Sequence, residues 1–170
     1  EWPTCRRRWL SQGQRLKLMF VGNFAQLRSV TDRSTERQTE MNDANYPEDL
    51  LYHAEHDWVR IDPDGEFATM GITWYAQDSL GEVVFFDAPE VGAMIAADDS
   101  YAEIESVKAV SEVIAPMSGE VIEVNSALEA DAGVVNDDPY GGGWLVKVRL
   151  TAVEEKSGLM DSAAYEALLG

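Results

Sequence analysis

Cysteine is almost absent from this chain of 170 residues: Cys5 is the only one. An internal disulfide framework is therefore excluded, and so is any zinc site built from several thiolates. Positive charge is also scarce. Lys and Arg together number 13 against 31 Asp and Glu, for a net charge of -18 and a pI near 4.2. Nucleic acid and anionic membrane surfaces repel so acidic a molecule, and neither is expected as a partner. Long apolar runs are missing too. The uninterrupted stretches fall far short of the roughly 18 residues that a membrane-spanning helix needs. Apolar residues still make up 45% of the chain, enough to build a core.

The few cations are unevenly placed. Residues 1–40 hold Arg6, Arg7, Arg8, Arg15, Lys17, Arg28, Arg33 and Arg37. From Met41 onward only Arg60, Lys108, Lys147, Arg149 and Lys156 remain. So abrupt a change marks a boundary, and it predicts a non-core extension over 1–40 and a folded domain over 41–170. Three readings of the extension stand side by side. It is translated upstream sequence with Met41 as the true start, an Arg-rich and acid-poor presequence of mitochondrial type, or a basic arm. The first places the protein in a bacterial cytoplasm, the second in the mitochondrial matrix.

The rest of the chain reads as short strands between turns. Asp62-Pro63-Asp64-Gly65 is a turn, with Pro fixing φ and Gly accepting a positive φ. Phe67–Ile72 follows as a strand, and Thr73 caps a brief helix that Gly81 ends. Val83–Phe86, Tyr101–Val107, Ala109–Ile114 and Glu120–Val124 are further strands. Trp144, Val146, Val148 and Leu150 alternate with polar neighbours, which predicts one buried face. Residues 153–169 read as a helix with Leu159, Met160, Ala163, Ala164, Leu168 and Leu169 on its apolar side. Gly81-Glu82-Val83-Val84 recurs as Gly119-Glu120-Val121-Ile122, which is either a common strand start or the trace of two related half-sheets with Lys108 on a hairpin between them.

Lys108 stands alone among Glu103, Glu105 and Glu112. Carboxylates hold the proton on an ammonium, so nucleophilic or general-base chemistry at Lys108 is disfavoured. A lysine that another enzyme modifies needs only exposure and a defined turn. His53 and His56 lie three apart beside Asp57, but the chain has no third histidine to complete a metal site. Gly141-Gly142-Gly143 precedes a strand and follows Asp137 and Asp138, so it reads as a tight turn rather than a phosphate cradle.

From about Tyr52 to Leu169 the chain resembles the glycine cleavage system H protein, a lipoyl carrier. The resemblance rests on ordered blocks: His56-Asp57-Trp58-Val59, Met70-Gly71-Ile72-Thr73, Leu80-Gly81-Glu82-Val83-Val84-Phe85 and Ala88-Pro89-Glu90-Val91-Gly92. Glu105-Ser106-Val107-Lys108-Ala109 is similar to the lipoylation motif at every position. Pro116 to Asn125, Val135-Asn136, Pro139-Tyr140 and Gly143-Trp144-Leu145 continue the match. The resemblance implies a mainly β fold with a few short helices, a barrel-sandwich hybrid with a C-terminal helix.

It also implies a function. Lys108 would bear lipoic acid in amide linkage. The arm would carry the aminomethyl group of glycine from the pyridoxal-phosphate glycine decarboxylase (P protein) to the tetrahydrofolate-dependent aminomethyltransferase (T protein). Dihydrolipoyl dehydrogenase (L protein) would then reoxidise it. Lipoylating enzymes complete the expected partners, and the chain is expected to be a monomeric carrier rather than an enzyme. By position in the family, Asp57 and Glu112 would line the groove where the arm rests, and Ser106 would sit beside it at the tip. Asp57 replaces the more usual Glu and is one methylene shorter; Ser79 stands where some relatives have histidine, and no role transfers to it.

Overall fold

A computed structural model describes residues 46–170; the expectations for 1–40 lie outside the described residues. Among the described residues nine strands run in chain order as β1 (Leu51–Tyr52), β2 (Asp57–Ile61), β3 (Phe67–Ile72), β4 (Val83–Asp87), β5 (Met94–Ile95), β6 (Ser100–Ser106), β7 (Val110–Ile114), β8 (Gly119–Val124) and β9 (Val146–Leu150). Helix α1 (Trp74–Leu80) follows β3. Two single turns, α2 (Ala127–Ala130) and α3 (Val134–Asp137), precede β9, and a 3-10 helix (Val153–Gly158) leads to α4 (Ser162–Leu169).

The strands form two antiparallel sheets. One has six strands in the order β1-β2-β3-β9-β8-β5, the other three in the order β4-β6-β7. The fold is thus mainly β with short helices and a C-terminal helix, as expected, but the sheets are not closed into a barrel. The two copies of the Gly-Glu-Val repeat fall in different sheets, one opening β4 and the other β8. The main apolar core takes residues from both sheets, among them Val59, Met70, Val83, Ile104, Val113, Val121 and Val148. Burial of this kind of surface is the main favourable term in folding.

Local chemistry explains the elements. Gly65 sits at φ 69, and its N–H bonds to the Asp62 carbonyl at 2.8 Å to close the expected turn. The Thr73 hydroxyl accepts the Ala76 N–H at 3.3 Å, and Gly81 at φ 78 ends α1. Gly71 is opposite Trp58 in the β2–β3 register. A Cβ on Gly71 would lie 2.8 Å from the Trp58 ring, so only glycine lets that indole fold flat across the strand. Trp58 is fully buried and donates Nε1–H to the Pro139 carbonyl at 3.1 Å. The glycine run before β9 also behaves as expected. Gly141 and Gly142 donate their N–H groups to the Asp138 carboxylate at 3.0 and 2.7 Å.

Three expectations need correction. The segment 153–169 is a 3-10 helix and an α-helix joined through Leu159–Asp161, not one helix. Ala163, Ala164 and Leu168 are exposed, and the residue α4 buries is Tyr165. Its ring stacks on Tyr52 at 4.8 Å between centroids, within a second core that includes Leu50 and Trp58. In β9 the buried face is Val146, Val148 and Leu150, but Trp144 precedes the strand. Its ring lies 4.7 Å from Lys147 Nζ, beneath that ammonium rather than with the valines.

Candidate functional site

Strands β6 and β7 form a hairpin whose tip is Val107-Lys108-Ala109. The Ser106 N–H bonds to the Ala109 carbonyl at 2.8 Å and closes the turn. Ser106 Oγ fills the space within it. It donates to the Ala109 carbonyl at 3.1 Å and accepts the N–H groups of Ala109 and Lys108 at 3.1 and 3.3 Å. The outer flank is tied as well, since Val107 donates its N–H to the Glu82 carbonyl at 3.0 Å. Lys108 is exposed, with Val107 71% and Val110 59% exposed beside it. Its stem passes over Gly81, where a Cβ would approach Cε to 3.7 Å.

The base of this tip is held by Asn136 on α3. Its Oδ1 accepts the Val83 N–H at 2.8 Å. Its Nδ2 donates to Gln77 Oε1 at 2.8 Å and to the Gly81 carbonyl at 2.9 Å. One side chain thereby spends its acceptor and both donors on joining α1, the α1–β4 turn and β4.

A groove of about 180 Å³ runs beside the hairpin. The β1–β2 turn contributes Glu55 and His56, β2 contributes Asp57, α1 contributes Ala76, Ser79 and Leu80, and β7 contributes Ser111 and Glu112. Glu112 is four residues from Lys108, or about 13 Å along an extended strand. The structure therefore brings Asp57 and Glu112 to one groove and sets Lys108 at its approach. Ser106 is not part of the groove. It is buried within the turn, and its hydroxyl is consumed there.

Asp57 and Glu112 differ in kind. Glu112 is exposed at the rim. Asp57 is only 2% exposed, and burial raises its carboxyl well above the usual carboxylate value of 3.8; the hydrogen bond from the Ile114 N–H works against this, and the charge of Glu55 adds to it. Burial thus favours the protonated form of this carboxyl. Tyr101 lies close enough to feel that charge, and its buried hydroxyl has no hydrogen-bond partner among the described residues.

Two further residues were not singled out by the sequence as groove residues. Glu55 sits exposed at the rim, and His56 lines the wall at φ 76, a left-handed conformation uncommon for a residue with a Cβ. The unusual side-chain pairing of His56 lies 109 residues away, so no local pattern signals it. Among the described residues no cluster of three His, Cys, Asp or Glu side chains is placed to hold a metal. His53 Nε2 instead pairs with Asp98 at 2.9 Å, while His56 turns to Tyr165. Among the described residues no helix is long and apolar enough to cross a membrane.

A mainly β fold that displays one lysine on a pinned hairpin beside a narrow groove defines a carrier-type domain. Comparison with known proteins narrows this. Residues 50–170 match the family model described as Glycine cleavage H-protein. The chain is 47% identical over 124 residues to the glycine cleavage system H protein of Symbiobacterium thermophilum, covering 73% of this chain and 95% of that protein. It is 49% identical over 126 residues to that of Escherichia coli O7:K1, covering 74% and 97%. The crystal structure of a glycine cleavage system H protein from Mycobacterium marinum superposes with a TM-score of 0.67 at 41% identity, over 73% of this chain and 98% of that one. The chain belongs to the glycine cleavage H-protein family.

Proposed function

We propose that Lys108 bears a lipoyl group in amide linkage and that the chain is a non-catalytic carrier of the glycine cleavage system. The observation that carries this reading is an exposed lysine at the apex of a hairpin whose backbone is hydrogen-bonded on both sides. A modifying enzyme needs a free amine on a defined turn, and the tip supplies both. When bound, the group would supply a dithiolane, whose sulfurs can carry an aminomethyl group and cycle between disulfide and dithiol.

The chain's own residues do the rest. Ser106 rigidifies the turn so that Lys108 leaves it in one direction. A lysine stem extended by an eight-carbon acid spans the distance to the groove, so the far end can rest against Glu112, with Asp57 behind it in the wall. Tethering raises the local concentration of cargo at each partner's site without any new contact. The partners are accordingly the decarboxylase, the aminomethyltransferase, the dehydrogenase and the lipoylating enzymes, and the carrier works as a monomer. Its compartment follows from 1–40, bacterial cytoplasm or mitochondrial matrix, and mapping the mature N-terminus tests which.

Intact mass tests the central claim. Incubation with a lipoate–protein ligase, ATP and lipoate is expected to add one lipoyl group, and Lys108→Arg is expected to lose both the added mass and the support of glycine cleavage. Lipoylation of Lys108→Arg at Lys147 or Lys156 with activity retained overturns the reading.

A further inference from the structure

The wall of the groove contains a histidine whose chemistry is set from behind. His56 Nδ1 lies 2.8 Å from the Tyr165 hydroxyl, and that hydroxyl lies 3.0 Å from Thr73 Oγ1. Thr73 Oγ1 already accepts the Ala76 N–H as the cap of α1. Thr73 is fully buried, and its own hydroxyl proton has only the Tyr165 oxygen to go to among the described residues. The Tyr165 proton is then directed to His56 Nδ1, which must accept. The reverse order would strand the Thr73 proton in a buried site, at the cost of an unsatisfied donor. The tautomer that follows carries its proton on Nε2.

The backbone holds the ring in place. The His56 carbonyl accepts the Thr73 N–H at 2.9 Å, its own N–H bonds to the His53 carbonyl at 3.1 Å, and φ is 76. The ring packs against Tyr75 at 4.5 Å between centroids. Backbone strain of this sort persists only where surrounding contacts enforce it. With Nδ1 committed, Nε2 is the ring nitrogen left for an occupant of the groove, and it has no hydrogen-bond partner among the described residues. Desolvation also lowers the histidine's affinity for a second proton, which keeps Nδ1 an acceptor.

We propose that His56 presents a fixed Nε2–H donor to the groove and positions a lone-pair acceptor, sulfur or neutral nitrogen, at the far end of the arm on Lys108, with Thr73 and Tyr165 as the positioning residues that set its tautomer. This rests on the reading of Lys108 as the arm's attachment point. It divides the groove into a hydrogen-bonding wall and a carboxylate rim at Glu55 and Glu112. A cationic nitrogen belongs at the rim, because an ammonium has no lone pair for Nε2–H.

The chain has only two histidines, so 15N-histidine labelling of the full chain gives two ring systems, with His53 as the internal control. Wild type is expected to show the Nε2–H tautomer at His56 before lipoylation. Tyr165→Phe keeps the packed ring but removes the donor, and is expected to convert His56 to a mixture of tautomers while His53 stays unchanged. On lipoylation, followed by reduction or loading with the aminomethyl group, the His56 Nε2–H signal is expected to shift, and in Lys108→Arg put through the same treatment it is not. An Nδ1–H tautomer in wild type overturns the proposal. So does a set of spectra in which the Ser79 and Glu112 amides respond to the arm in its oxidised, reduced and loaded forms but His56 does not. If no groove signal moves in any form, the resting-groove reading falls along with it, while Lys108 as the attachment point stands or falls by mass alone.

Discussion

Replacing Asp57 by Asn isolates the consequence of burying a carboxyl in this wall. Asn has nearly the same shape and its carbonyl oxygen keeps an acceptor for the Ile114 N–H. The wild-type carboxyl is raised in the folded state relative to its ordinary value of 3.8. The folded chain therefore binds more protons than the unfolded chain between the two values, and stability falls as pH rises. Asp57's contribution is present in full below about 3.8 and is lost as pH climbs through the folded-state value. Within that window a one-proton difference gives a slope of about 1.4 kcal/mol per pH unit. Asp57→Asn removes this slope. The difference in unfolding free energy between variant and wild type should thus grow in the variant's favour from pH 4 upward, then level off. Urea titrations at half-unit pH steps, followed by tryptophan fluorescence, measure it directly because Trp58 is fully buried. A difference that is flat with pH, or that favours wild type increasingly as pH rises, refutes the argument that burial dominates at Asp57.

Other perturbations have definite signs. Ser106→Ala removes three hydrogen bonds from one turn and should cost roughly 1–3 kcal/mol by urea denaturation; it should also slow ligase-catalysed lipoylation, since the tip loses its single geometry, and an unchanged lipoylation rate contradicts that role. Gly71→Ala drives a methyl to 2.8 Å from the Trp58 ring, so a loss of about 1–3 kcal/mol is expected, and a wild-type urea midpoint refutes the close approach. On the outer face of the three-stranded sheet, Asp87 is paired with Glu103, and Glu103 with Glu112. Like charges directly opposite are unfavourable, so Glu103→Thr should gain about 0.2–1 kcal/mol at low salt, with the gain shrinking as added salt screens the pair; a loss of stability that is insensitive to salt overturns this.

The hairpin, the turn at Asp62–Gly65, the capped helix after Thr73 and the exposed lysine were all legible because each depends on neighbours within a few residues. What was not legible depends on distant packing. Strand β2 buries Asp57, Trp58 and Val59 in succession, which breaks the alternation that marks a half-buried strand. The cause is that both faces are covered: Val59 belongs to the main core, Trp58 to the second cluster beneath α4. Nothing local therefore shows that Asp57, expected along a groove, lies interior. Helix α4 fails for a related reason. Its Leu and Ala positions suggest an apolar stripe, yet Tyr165 is the anchor, because a hydroxyl that bonds to Thr73 and His56 can be buried with its ring. His56 showed only a spacing to His53 that suits a metal, while its actual partner comes from the far end of the chain.

A carrier must hold the root of its arm still while leaving the arm free, and these two demands fall on different atoms. With Lys108 as the proposed root, its turn is held by backbone groups and short side chains: the β6–β7 ladder, Ser106 within the turn, the Val107–Glu82 bond and Asn136 beneath Gly81 and Val83. None of these immobilises the Lys108 side chain, so its rotamer freedom, up to about 2 kcal/mol for a lysine, is not lost on folding. A root that moved would widen the volume swept by the arm and lower the effective concentration of cargo at every partner alike. A root fixed through Lys108 itself would hold the amine away from the enzymes that must reach it. Restraint of the backbone with release of the side chain meets both conditions, and it explains why the polar groups around this tip are spent on the turn rather than on the lysine.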